Sequence, residues 1–189
     1  CISEPYITSS YKSYNEMNSN NINDIYIDEE KRIWIANYPE GITIIDNRYK
    51  NYNWIKHSIG NRQSLVNDQV HSVIEDSDGD LWFGTSNGIS LYQSKTGQWH
   101  SFLSSFDHQL KDKNHIFITL CEVSPGIIWA GGYTSGVYKI NKRTLSVEYF
   151  SPYLLSPDNI RPDKYIRDIV KDSKGYIWSG GFYNLKCFD

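Results

Sequence analysis

Four tryptophans fall at nearly even intervals along this chain: Trp34, Trp82, Trp129 and Trp178 stand 48, 47 and 49 residues apart. A period of that length restricts the fold strongly. Each repeat must be one supersecondary unit that buries its apolar face only by stacking on a neighbour. The four segments align without gaps upstream of the tryptophan. Twelve residues before it stand Ile22, Val70, Phe117 and Ile166, and nine before it Ile25, Val73, Leu120 and Ile169. Three before it stand Lys31, Gly79, Gly126 and Gly175. Six or seven after it come Gly41, Gly88, Gly136 and Asn184, residues that tolerate a left-handed backbone.

Each copy reads as four short strands. In the second, Val70 to Glu75, Leu81 to Thr85, Ile89 to Tyr92 and Trp99 to Phe102 are separated by turn-forming clusters at hairpin spacing. Composition agrees: 23 Ile and 28 aromatic residues against 2 Ala suit pleated sheets, not helices. The fold class is therefore all-β, a β-propeller of about four four-stranded blades. Blade 1 is expected over 20–57, blade 2 over 65–103, blade 3 over 112–150 and an incomplete blade 4 over 161–189. Residues 1–19 read as the remnant of a preceding blade's outer strand. Trp34, Trp82, Trp129 and Trp178 are assigned to the packing between blades, and Trp54 and Trp99 to core.

The run Asn67-Asp68-Gln69-Val70, then Glu75-Asp76-Ser77-Asp78-Gly79-Asp80-Leu81-Trp82-Phe83-Gly84-Thr85 and Asn87-Gly88-Ile89, closely resembles the two-component regulator propeller repeat. Ile169 to Trp178 matches it as well; Val123-Ser124-Pro125-Gly126 departs from it. The resemblance implies the periplasmic sensor of a Bacteroides-type hybrid two-component system, and an arc cut from a seven-bladed ring. It implies oligosaccharide sensing coupled to a histidine kinase that controls glycan-utilisation genes. The sequence opens on Cys1 with neither Met nor leader, so it reads as an excerpt.

Function classes narrow further. A net charge of −3 does not suit general nucleic-acid binding, and no run approaches the roughly 18 apolar residues of a membrane span. The three cysteines have no metal spacing, and no nucleophile elbow, zinc motif or phosphate loop is present, so neither catalytic residues nor a cofactor or metal is assigned. Asp76, Asp78 and Asp80 resemble the start of a calcium loop. Asp28 and Asp172 hold the place of Asp76 without the later aspartates, which favours a turn device.

A ligand is expected on the face where each blade's first strand begins and its second turns into its third, since loops on a rigid scaffold carry function. Positions eleven and ten before each tryptophan, Asn23-Asp24, His71-Ser72, Ile118-Thr119 and Arg167-Asp168, vary where a structural requirement would repeat. The candidate ligand residues are Tyr38, Arg62, His71, Tyr133, Arg161, Arg167, Asp168 and Tyr183. Tyrosines stack on sugars, and arginines fork onto acidic groups. Self-association, or contact with the rest of a parent ring, is the expected partner interaction. A propeller enzyme and a ligand-free dimerisation platform remain the alternatives.

Overall fold

The computed structural model describes residues 21–39, 41–46, 51–104, 115–134, 136–150, 165–183 and 185–188. The remnant strand expected within 1–19, along with Arg161 and Asn184, lies outside these residues. The described strands form four antiparallel sheets. The first holds β1 (Ile22–Ile27), β2 (Ile33–Asn37), β3 (Gly41–Asp46) and β4 (Asn51–Ile55). The second holds β5 (Val70–Glu75), β6 (Leu81–Thr85), β7 (Gly88–Gln93) and β8 (Gln98–Phe102). The third holds β9 (Phe117–Ser124), β10 (Ile127–Gly132), β11 (Gly136–Asn141) and β12 (Ser146–Phe150). The fourth holds β13 (Ile166–Lys171), β14 (Ile177–Gly181) and β15 (Leu185–Phe188). Strands lie side by side in chain order within every sheet, which is the meander of a propeller blade.

Facing sheets meet in three apolar seams with a fixed polarity. Trp34, Ala36 and Ile42 of the first sheet pack on Val73, Leu81 and Phe83 of the second. Trp82, Ile89 and Leu91 of the second pack on Leu120, Ala130 and Tyr138 of the third. Trp129 and Val137 of the third meet Ile166 and Ile169 of the fourth. The tryptophan of each sheet thus looks toward the following sheet, and the residue nine before it looks toward the preceding one. The ends show the consequence. Val73, Leu120 and Ile169 are buried, whereas Ile25 is 55% exposed.

Trp34, Trp82 and Trp129 are buried, but Trp178 is only half-buried. Its expected burial fails because no further sheet follows it among the described residues. Trp54 departs in the same way. Alternation places it on one face of the sheet, yet it sits on the outer strand and is 47% exposed, while Trp99 is buried.

The aspartate turn has one construction in three copies. Asp28, Asp76 and Asp172 each take the indole N–H of their own sheet's tryptophan on Oδ2, at 2.8, 2.8 and 3.0 Å. Oδ1 of Asp76 accepts the backbone N–H groups of Asp78 and Asp80, and Asp172 does the same for Lys174 and Tyr176. In the third copy, where Val123 replaces the aspartate, Glu122 accepts from Gly126 N at 2.9 Å and reaches back to Ser77 of the second sheet.

Gly79, Gly126 and Gly175 close these turns at positive φ, and Lys31, their counterpart, is held at φ +66°. A left-handed non-glycine backbone costs about 1–3 kcal/mol. Lys31→Gly is therefore expected to raise stability by about 1 kcal/mol, read as a higher urea midpoint with unchanged slope.

The acid triad that resembles a calcium loop is occupied by a side chain. Lys142, from the turn after β11, crosses the seam and sets Nζ 2.7 Å from Asp76, 2.9 Å from Asp78 and 2.8 Å from Asp80. The aspartates are thus a turn device, as expected, and also the socket of an inter-sheet ion pair.

Candidate functional site

Backbone hydrogen bonds fix which loops share a face. Tyr38 N donates to Asn21 O, Ser86 N to Gln69 O and Tyr133 N to Ile116 O, each at 2.8–2.9 Å. These bonds join the turn after a sheet's second strand to the residue that leads into its first, and they define an upper face. The aspartate turns and Lys142 lie at the opposite ends of the strands.

A β-bulge opens each inner strand at the upper face. The register slips between Ile22 and Asp24, between Val70 and Ser72, and between Ile166 and Asp168. In the third sheet Gly131 and Gly132 pair with Thr119 and Phe117, which leaves out Ile118. The extra residues are Asn23, His71, Ile118 and Arg167. A bulge releases its extra residue from the ladder and re-aims its side chain.

The next position serves a different purpose. Asp24 Oδ2 accepts Val73 N across the first seam at 2.9 Å. Asp168 Oδ1 accepts Thr119 Oγ1 across the third seam at 3.1 Å and Ile169 N at 2.9 Å. Asp168 is placed as a latch between sheets, with that oxygen already engaged.

The predicted residues gather into two groups. At the first seam, the Tyr38 ring lies 6.0 Å from that of His71. His71 Nε2 meets Ser86 Oγ at 2.8 Å, and Nδ1 lies 3.4 Å from Asn23 Nδ2. Burial pushes the His71 imidazole below its ordinary range, so it is neutral at pH 7 and acts as a hydrogen-bonding group.

The second group, at the third seam, is aromatic. Tyr133 meets Tyr165 edge-on at 4.9 Å, and Tyr165 stacks on Phe182 at 4.0 Å with 18° between ring planes. Phe182 adjoins Tyr183 at 6.3 Å. Arg167 Nη1 reaches Tyr165 Oη at 3.4 Å. Phe182 and Tyr183 are 65% and 79% exposed. Water-facing rings of this kind offer flat apolar surfaces with polar tips, beside a guanidinium with hydrogen-bond donors.

Tyr165 was not singled out in the sequence. Its signal is positional, since it occupies the lead-in residue that Asn21, Gln69 and Ile116 hold in the other sheets. Arg62 lies apart from both groups, on the outer rim with Trp99, His100, Leu145 and Val147. Among the described residues no group of three or more His, Cys, Asp or Glu side chains is placed to hold a metal ion.

Comparison with known proteins supplies the relationship. The two component regulator propeller family matches residues 16–38 and 64–87. The extracellular domain of BT3049 from B. thetaiotaomicron, described as a hybrid two component system, superimposes with a TM-score of 0.77. Identity is 21%, over 95% of this chain and 24% of that one. The extracellular domain of BT4673 from the same species, likewise described, gives 0.70 at 19% identity, over 94% of this chain and 22% of that one. The WD40 β-propeller domain of Doa1 gives 0.61 at 17%, over 88% of this chain and 49% of that one.

The chain thus spans about a quarter of the two bacterial extracellular domains. No curated protein sequence matches it. The match at 64–87 carries the aspartate turn and the tryptophan described above, and that at 16–38 carries their first-sheet counterparts. Two stretches of the chain, in its first two sheets, match the two component regulator propeller repeat, and its four sheets share the propeller-blade fold of the two bacterial extracellular domains.

Proposed function

We propose that this chain is part of the periplasmic sensor of a hybrid two-component system and that its upper face takes up a glycan-derived oligosaccharide. The observation that carries the reading is the aromatic ladder Tyr133, Tyr165, Phe182 and Tyr183 beside Arg167, exposed at all its rings but the half-buried Tyr165. Rings stack on the apolar faces of sugars, and the guanidinium hydrogen-bonds their oxygens. The two B. thetaiotaomicron extracellular domains support the setting. In the parent protein the arc is continued by further blades, and binding is passed to a histidine kinase that controls transcription of glycan-utilisation genes. Signalling requires that the ligand bind one arrangement of the receptor better than another.

An enzyme reading gains less support. Asp24 and Asp168, the carboxylates nearest the inner strands on this face, are engaged with backbone N–H groups. His71 is held by Ser86.

Oligosaccharides released from plant and host glycans should raise the melting temperature of the complete ectodomain, because binding to the native state stabilises it. Phe182→Ala and Tyr133→Ala should lower the affinity of the active oligosaccharide about tenfold each by calorimetry. That corresponds to about 1.4 kcal/mol. Unchanged affinity in both variants would remove the upper face from consideration.

A further inference from the structure

We propose a second carbohydrate site, on the outer rim between the first and second sheets, that accepts a neutral oligosaccharide. The sheets meet tightly at their inner strands, and toward the outer strands β4 and β8 the seam opens into a groove of 670 Å³. Small-molecule sites span roughly 300–1,000 Å³. The inner wall is aromatic. Tyr92 and Trp99 lie 5.0 Å apart, beside Trp34. Trp54 forms the rim, with the Lys56 ammonium 5.4 Å from its ring centre. Its exposure, out of place in a core, is what a stacking platform requires.

Charge selects the class of ligand. Arg32 stands 5.6 Å over the Trp34 ring, but its guanidinium is met by Asp28 at 2.6 Å and Glu30 at 3.3 Å. Lys56 is set against the Trp54 ring. Arg32 is thus balanced by two carboxylates and Lys56 is a single cation against a ring, so the described lining holds no cluster of cations for a phosphate, sulfate or uronate. Flat rings beside both donors and acceptors fit the two-sided chemistry of a neutral sugar, which is apolar on its C–H face and polar at its hydroxyls.

Two further observations set this seam apart. In the third sheet the cross-strand pair equivalent to Tyr92 and Trp99 is Ile140 and Val147. The blade itself therefore does not require the aromatic pair. The corresponding groove of the second seam, lined by Leu145 and Val147, is smaller, at 360 Å³. The wall is also fixed in place. Gln63 Oε1 accepts Trp99 N at 2.9 Å and Gln63 Nε2 donates to Trp99 O at 3.2 Å, which holds the Trp99 backbone before any ligand arrives.

The test titrates the full chain with cellohexaose, xylohexaose, mannohexaose and maltohexaose, with hexagalacturonate as the charged probe. Binding is followed by tryptophan fluorescence and calorimetry. At least one neutral probe is expected to bind with a shift in tryptophan emission. Trp54→Ala, at an exposed site with little bearing on folding, should weaken it tenfold or more, and Lys56→Ala several-fold. Val170→Ala, at an exposed position of the fourth sheet that lines neither site, should leave this binding unchanged.

The proposal is overturned if no neutral probe binds, if hexagalacturonate alone binds, or if Trp54→Ala leaves affinity intact. Loss of binding in Phe182→Ala with retention in Trp54→Ala also overturns it, while leaving the upper-face reading in place.

Discussion

Lys142→Met is expected to cost the fold about 3–5 kcal/mol, the penalty for removing one partner of a buried ion pair. The Lys142 side chain is 8% exposed, and its ammonium lies within 2.9 Å of three carboxylates from the neighbouring sheet. Asp76 and Asp80 are buried as well, so the variant strands two carboxylates without a counter-charge. The loss should appear as a lower urea midpoint, with the Trp82 environment at that seam the first to change.

The pH dependence follows from two directions. Burial alone would lower Lys142, but hydrogen bonds to Asp76, Asp80 and Asp78 outweigh it and hold the ammonium above the usual lysine range. Its contribution is complete below the unfolded value of about 10.4 and is lost only as pH rises through the folded value. The Lys142 hydrogen bond and charge hold Asp78 below the usual carboxylate range. That contribution is present above the unfolded value of about 3.9 and fades as pH falls through the folded one. The clamp should therefore be whole from about pH 5 to 10. The deficit of the variant should shrink below about pH 4, because the wild type loses the Asp78 contribution there as well. A deficit that stays constant down to pH 3 would contradict this account.

Trp82→Ala is expected to cost about 3–5 kcal/mol, as for other buried aromatic truncations. Trp82 is fully buried, stacks on Phe102 at 5.5 Å and donates its indole N–H to Asp76. Trp178→Ala, at the same place in the repeat with the same bond to an aspartate, should cost less than half as much, because its outer face meets no following sheet among the described residues. Denaturant unfolding of both variants in one background checks the contrast. Equal losses would mean that the tryptophan acts through its own hairpin and not through the seam.

The strands were legible in the sequence where turn chemistry and hydrophobic runs mark the same boundary. Val70–Glu75 and Leu81–Thr85 are found as read, because the Asp76-to-Asp80 turn separates two apolar runs. Contacts between repeats were not legible. Lys142 belongs to another sheet than the aspartates it joins, and no local pattern announces the pairing. Alternation tells which face of a strand a side chain takes, but not whether a neighbour covers it. Trp54 and Trp178 differ from expectation for that reason.

Variation at positions eleven and ten marked a zone that the bulge divides. Arg167 is released beside Tyr165, while Asp168 is tied to Thr119. The sequence pattern does not show where a register slips, so it could not separate these neighbours.

The Gln63 amide has a consequence beyond the groove wall it steadies. An outer strand normally displays a row of open peptide groups that invites another chain to extend the sheet. On β8, Gln63 occupies both the N–H and the C=O of Trp99, much as a single residue of an adjoining strand would. The second sheet thus carries its own end-stop. Blades can be strung in tandem at high local concentration without their perimeters zipping together, and Gln63→Ala should show this as faster aggregation with little change in the unfolding midpoint.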